Sequence, residues 1–156
     1  LPDGAEPRSS VTVRVRSPDT GRELVLADIH FYRTEEERLA QALTLDGLLR
    51  GAGDGDAREA AGAGADAAGP TGTPTILAGD FNSELGGVVM DTLTAAGWWI
   101  VPKDGSPLTF RSDFPVREID FVALRPQLRF EVIEHRVIDE PVASDHSPIF
   151  AVLVVR

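Results

Sequence analysis

Cysteine is absent from the 156 residues, so neither disulfides nor thiolate metal sites can contribute. That absence fits a cytoplasmic or an exported protein equally and decides no compartment. No apolar run approaches the roughly 18 residues that a helical membrane span needs. The chain opens with Leu1-Pro2-Asp3-Gly4, with neither an initiator Met nor a charged-then-apolar leader. The natural N-terminus, and any targeting signal, is therefore expected to lie outside these residues. A basic face is missing too. Net charge is −10, residues 1–70 carry eight Lys/Arg against thirteen Asp/Glu, and Lys103 to Arg136 balances six against six. Proteins that grip polynucleotide along its backbone usually concentrate positive charge, so nucleic acid is not favoured as a partner.

What is present suits one soluble α/β domain with a sizeable core: 42% of residues are hydrophobic. Val11, Val13 and Val15 alternate with Thr12, Arg14 and Arg16, the period of a half-buried strand. Turn chemistry at Ser17–Gly21 leads into a second strand over Leu24–Phe31, which predicts a β-hairpin. Thr34 and Glu37 form a capping box for a helix whose apolar face holds Leu39, Ala42, Leu43, Leu45, Leu48 and Leu49, with Gly51 as its stop. Residues 51–72 are nearly all Gly, Ala and Asp, and are expected to be a disordered surface insertion rather than a linker. Thr75–Ala78 is a short apolar strand, and a helix follows over roughly 87–96, stopped by Gly97. Strands are expected at 98–101, 108–110, 118–124, 130–138 and 148–155. These strand candidates with two helices predict a layered α/β domain.

Three segments could carry chemistry. The strand at 75–78 delivers Gly79-Asp80-Phe81-Asn82 to a sheet edge. If the backbone stays extended, Asp80 and Asn82 point to one side. A carboxylate there can take a proton from water or hold a cation, and an amide two residues on can donate to a phosphate oxygen. A plain turn is the competing reading. Ser144-Asp145-His146-Ser147-Pro148 precedes the last strand, and an imidazole there can act as acid, base or cationic stabiliser. Adjacent positions face opposite ways, so Asp145 should not pair with His146. Asp120, between Ile119 and Phe121, is the candidate partner, because a charge in such a strand is costly unless paired. His30 ends the apolar run of the second strand as a structural or a catalytic residue. His135, between Glu134 and Arg136, reads as a solvated strand residue. The Trp98-Trp99 pair reads as buried aromatic packing rather than a membrane or substrate platform, and Arg111 and Arg117 as solvated loop residues.

Four pieces in this order resemble the endonuclease/exonuclease/phosphatase superfamily: Asp28-Ile29-His30, Gly79-Asp80-Phe81-Asn82, Ile119-Asp120-Phe121-Val122 and Ser144-Asp145-His146-Ser147-Pro148. The resemblance implies a sandwich of two packed mixed β-sheets flanked by helices, of which residues 1–156 would be the C-terminal part. It implies that Asp80 orients or deprotonates the attacking water and that Asn82 holds a phosphate oxygen. His146, paired with Asp120, would stabilise or protonate the transition state, and His30 would make a second phosphate contact. Asp145 would lie beside a divalent cation, for which oxygen ligands favour Mg²⁺ or Mn²⁺.

Two departures from the family pattern stand out. No Gln-Glu pair occurs in the chain, so the principal Glu ligand of the metal is expected in an N-terminal remainder of the same domain. Ile29 stands where Thr is usual, which removes a hydroxyl. The sequence therefore points to a metal-dependent phosphomonoesterase or phosphodiesterase acting on a small-molecule or lipid-headgroup phosphate. A DNA endonuclease of the same superfamily and a non-catalytic binding module are the alternatives.

Overall fold

The computed structural model describes residues 8–54 and 72–156. Seven strands and two α-helices are formed there: β1 Val11–Arg16, β2 Glu23–His30, α1 Glu35–Asp54, β3 Thr75–Asp80, α2 Val88–Ala95, β4 Trp99–Ile100, β5 Asp120–Arg125, β6 Phe130–Val137 and β7 Ile149–Val155. A five-stranded sheet runs β1-β2-β3-β5-β4, and β6 and β7 make a separate two-stranded sheet. The expected hairpin is β1–β2. The step from β2 to β3 is parallel, as a crossover through α1 requires, and the remaining pairings are antiparallel.

Strand alternation divides the core in two. Val25, Ala27 and Ile29 of β2, Leu77 of β3, and Phe121 and Ala123 of β5 face the helices. There they meet Ala42, Leu45 and Leu49 of α1 and Val89, Met90 and Leu93 of α2. The alternate residues Leu24, Ile76, Val122 and Leu124 face the small sheet, where Phe130, Val132, Ala151 and Leu153 close on them. The result is a helix layer, a large sheet and a small sheet, the α/β sandwich that the sequence predicts.

Several expectations need correction. β1 is exposed along its whole length rather than half-buried. Helix α1 begins where the capping box predicts, with Thr34 Oγ1 bonded to the Glu37 carboxylate, but it passes through Gly51 to Asp54. Leu43 and Leu48 are exposed, so the buried stripe is narrower than the leucine pattern suggests. Segment 108–110 forms only isolated bridges, from Phe110 to Arg117 and to His146. His135 is 1% exposed rather than solvated. A bulge between Val132 and Glu134 changes which residues of β6 face inward and turns His135 into the core. The insertion expected at 51–72 falls mostly on residues 55–71, outside the described residues.

One half-buried carboxylate fastens the helix layer to the sheet. Asp46 of α1 accepts hydrogen bonds from Arg50 Nε at 2.8 Å and from Trp98 Nε1 at 2.8 Å, and one from Arg125 Nη1. The Arg125 guanidinium also lies 4.2 Å from the centre of the Trp98 ring. Burial alone would raise the Asp46 pKa, but the bonds from Arg50, Trp98 and Arg125 outweigh it and hold the carboxyl below its ordinary value.

Gly79 is a second fixed point. Its φ is +133°, and a Cβ built there would stand 2.1 Å from the carbonyl oxygen of Ile29 on the paired strand β2. Gly79→Ala should therefore cost about 3 kcal/mol or more, read as a drop in the denaturant midpoint. An effect near zero would show that β2 and β3 do not approach this closely. Asp46→Asn should cost about 2 kcal/mol at neutral pH, since hydrogen bonds to a charged group are lost. A depressed folded-state pKa stabilises above the unfolded value and loses that contribution as pH falls through the folded one. The gap between variant and parent should therefore close below the ordinary value of 3.8. Equilibrium unfolding against pH would reveal it, and a pH-independent gap would contradict the assignment.

Candidate active site

Register builds the site. His30 at the end of β2 stands opposite Asp80 of β3, which stands opposite Asp120 of β5. Opposed residues share a face, so all three side chains emerge on the side of the small sheet. The residue after each of them points the other way, and each of those is phenylalanine. Phe31 packs edge-on to Phe81 with ring centres 5.5 Å apart, and Phe81 to Phe121 at 5.6 Å. Three buried rings on the helix side thus anchor three polar side chains on the cleft side.

Beyond Asp80 the chain does not stay extended as expected. Asn82 has φ +47° and turns back on the carboxylate. Its backbone N–H donates to Asp80 Oδ1 at 2.7 Å, and its Nδ2 donates to Asp80 Oδ2 at 3.1 Å and to the Phe31 carbonyl at 2.9 Å. The two residues meet, but through a turn. The segment thus adopts the turn of the competing reading, and that turn keeps the Asp80 and Asn82 side chains together.

His146 arrives from the other side of the cleft. Its Nδ1 lies 2.9 Å from Asp120 Oδ2, the pairing expected from the sequence, and its Nε2 lies 4.0 Å from Asp80 Oδ2. Thr109, fully buried, holds the two segments together. Its carbonyl accepts from the Ser147 N–H at 2.8 Å, and its hydroxyl accepts from the N–H groups of Ile119 and Asp120, each at 3.3 Å. Phe110 packs on the His146 ring, with centres 5.0 Å apart. Segment 108–110 is therefore a clasp rather than a strand. Asp145 does not pair with His146. It lies at the rim, where its carbonyl accepts from the Ser112 N–H at 2.9 Å.

His30 joins the cluster: its Nε2 is 3.3 Å from Asp80 Oδ2. Ile29 is buried among the residues facing the helices, so the missing threonine hydroxyl does not open onto the cleft. Together His30, Asp80, Asn82, Asp120, Asp145 and His146 line a cleft of about 530 Å³.

The carboxylate at the centre is perturbed. Burial raises the pKa of Asp80; the Asn82 N–H opposes that rise and the nearby charge of Asp120 adds to it. Asp80, Asp120 and His146 each offer a ligand atom within 4.8 Å of the others, a cluster capable of coordinating a divalent metal ion. Asp145 lines the same cleft but is not one of these three.

Sequence reading missed three contributors. Arg8 and Arg33 line the same cleft. The signal for Arg33 was its place three residues after His30. Lys103 has a fully enclosed side chain, 2.7 Å from Glu118 and 4.5 Å from the centre of the Phe121 ring. Burial lowers the Lys103 pKa, against the pull of Glu118. Nothing local in the sequence marks a lysine for burial. Arg111 and Arg117 pair with Asp113 and Glu84 on the surface, as solvated residues do.

No protein-family model matches the chain, and no curated protein matches it by sequence. Solved structures do match. An endonuclease/exonuclease/phosphatase family protein from Bacteroides thetaiotaomicron superposes with a TM-score of 0.71 at 20% identity, over 99% of this chain and 58% of that one. The mannosyl-6-phosphatase Bt3783 of the same species gives 0.69 at 21% identity, over 97% of this chain and 59% of that one. The endonuclease domain of the telomere-specific retrotransposon TRAS1 gives 0.63 at 18% identity, over 94% and 61%. The chain thus spans about three-fifths of the length of each of these structures. Its fold is the one that these structures share.

Proposed function

We propose that these residues are the C-terminal part of a Mg²⁺- or Mn²⁺-dependent phosphoester hydrolase domain acting on a small-molecule or lipid-headgroup phosphate. The observation that carries this reading is the aligned row His30–Asp80–Asp120 with His146 bonded to Asp120. Asp80 takes a proton from the attacking water, and burial makes its carboxylate a better acceptor than an exposed one. Asn82 first holds Asp80 in place. Its 3.1 Å bond to Asp80 is the one a phosphate oxygen can replace, while the bond to the Phe31 carbonyl fixes the amide. The water oxygen bonds to phosphorus as the ester oxygen leaves. His146, oriented through Nδ1 by Asp120, presents Nε2 to the charge that develops or to the departing oxygen. His30 makes a second contact to the phosphate.

The cation would be held by Asp145 and the neighbouring cluster, with a principal Glu from the remainder of the domain. Bound there, it would polarise the phosphoryl oxygens and offset charge on the leaving oxygen.

The net charge of −10 and the polar cleft favour a small phosphate over a polynucleotide. A nuclease is the second reading, supported by Arg8 and Arg33 at the cleft and by the endonuclease domain among the matching structures. The whole protein should hydrolyse bis(p-nitrophenyl) phosphate or p-nitrophenyl phosphate in Mg²⁺, with the rate abolished by EDTA. Asp80→Ala should lower kcat by on the order of 10³-fold. An unchanged rate in that variant would remove Asp80 from the chemistry. Nicking of supercoiled plasmid, lost in the same variant, would favour the nuclease, and no cleavage of any of the three would favour a binding module.

A further inference from the structure

The chain holds 25 acidic residues against 15 basic ones, so a cation rarely lacks a carboxylate to pair with. Most of the described cations have one: Arg14 and Arg16 pair with Glu23, Arg50 and Arg125 with Asp46, and Lys103 with Glu118. Arg22, Arg38 and Arg129 donate instead to backbone carbonyls. Among the described residues, Arg33 is the one arginine whose side chain has neither a hydrogen bond nor an ion pair. Glu35, Glu36 and Glu37 follow close behind, yet it pairs with none of them, and the Glu37 carboxylate is bonded to Thr34.

The backbone that carries Arg33 is held on both sides. The Phe31 N–H donates to the Asp80 carbonyl at 2.9 Å, and the Tyr32 N–H to Gln41 Oε1 at 2.9 Å. The Arg33 carbonyl accepts from Arg38 Nη1, and the Arg38 N–H donates to the Thr34 carbonyl at 3.0 Å. These bonds set Arg33 on the cleft, exposed, three residues beyond His30. Its guanidinium awaits a partner that the described residues do not supply.

Sheet order makes the cleft electrically lopsided. From β2 to β5 the lining runs from Arg33 and His30, through Asp80 and Asn82, to Asp120, with His146 bonded to Asp120 and Asp145 next in sequence. Carboxylates occupy the middle and the β5 end, and the unpaired guanidinium stands at the β2 end. A volume of about 530 Å³ is in the range that holds a whole small ligand rather than one phosphate. With the reacting phosphate between His30, Asn82 and His146, the β2 end keeps a planar fork of donors, the geometry that recognises phosphate.

We propose that Arg33 binds a second phosphate group of the substrate, carried on the same molecule as the phosphate that reacts. This rests on the reading of the cleft as a phosphate site. Two phosphates occur together on small bisphosphates and on consecutive nucleotides, and the test separates these sources.

The whole natural protein carrying Asp80→Asn, which slows turnover without changing side-chain size, is titrated by calorimetry in Mg²⁺. Fructose 1,6-bisphosphate is compared with fructose 6-phosphate, and the dinucleotide pTpT with thymidine 5′-monophosphate. In at least one pair the two-phosphate ligand should bind about 10-fold more tightly. Adding Arg33→Met should abolish that preference, and Arg33→Lys, which keeps the charge without the fork, should retain part of it. Preference in the fructose pair assigns the second phosphate to a small molecule, and preference in the nucleotide pair alone assigns it to a nucleotide chain. Loss of an exposed, unpaired side chain should leave Tm within about 2 °C, which excludes a folding defect as the cause. Equal affinities within both pairs, or a preference that survives Arg33→Met, would overturn the inference and leave the phosphate site standing. Failure of all four ligands to bind would remove the phosphate site as well.

Discussion

Everything at the site depends on one register. Because β2, β3 and β5 pair so that His30, Asp80 and Asp120 lie side by side, three residues far apart in sequence become neighbours. A slip of one residue in any of these strands would send its polar group into the helix-side core and a phenylalanine into the cleft. The interlocked rings of Phe31, Phe81 and Phe121 make such a slip costly. Gly79 allows it to be avoided, because only a residue without a Cβ lets β3 come so close to Ile29. The hydrophobic core thus sets the position of the cleft's polar groups directly.

The remaining elements serve that row. Asp46 ties α1 to Trp98 and Arg125 and so keeps the helix layer on the back of the sheet. Thr109 ties the start of β5 to the segment carrying His146, and so sets the imidazole against Asp120. The enclosed Lys103–Glu118 pair sits beside Phe121, behind Asp120. The cleft lies where the ends of β2 and β3 and the start of β5 meet the segment before β7.

Much of this was legible in the residues. The apolar strands at 24–31 and 75–78, the helix after Thr34 and the break at Gly97 follow from local rules. The expectation that Asp120 and not Asp145 partners His146 came from strand geometry and the cost of an unpaired charge, and the 2.9 Å contact agrees with it. What escaped has a common cause. The bulge that buries His135, the role of 108–110 as a clasp and the enclosure of Lys103 are all fixed by tertiary partners distant in sequence. Alternation in β1 was read correctly as a strand and wrongly as half-buried, because period shows which side chains share a face and not whether anything covers that face.

The central claim is that His30, Asp80, Asn82, Asp120 and His146 form a phosphate site. A crystal structure of the whole protein with Mg²⁺ and inorganic phosphate or vanadate tests it most directly. The account predicts the anion in the cleft, with oxygens within hydrogen-bond reach of His30, Asn82 Nδ2 and His146 Nε2 and the cation beside Asp145. An anion bound elsewhere, with the Asp80–Asn82 and Asp120–His146 contacts unchanged and the cleft empty at saturating ligand, would contradict it.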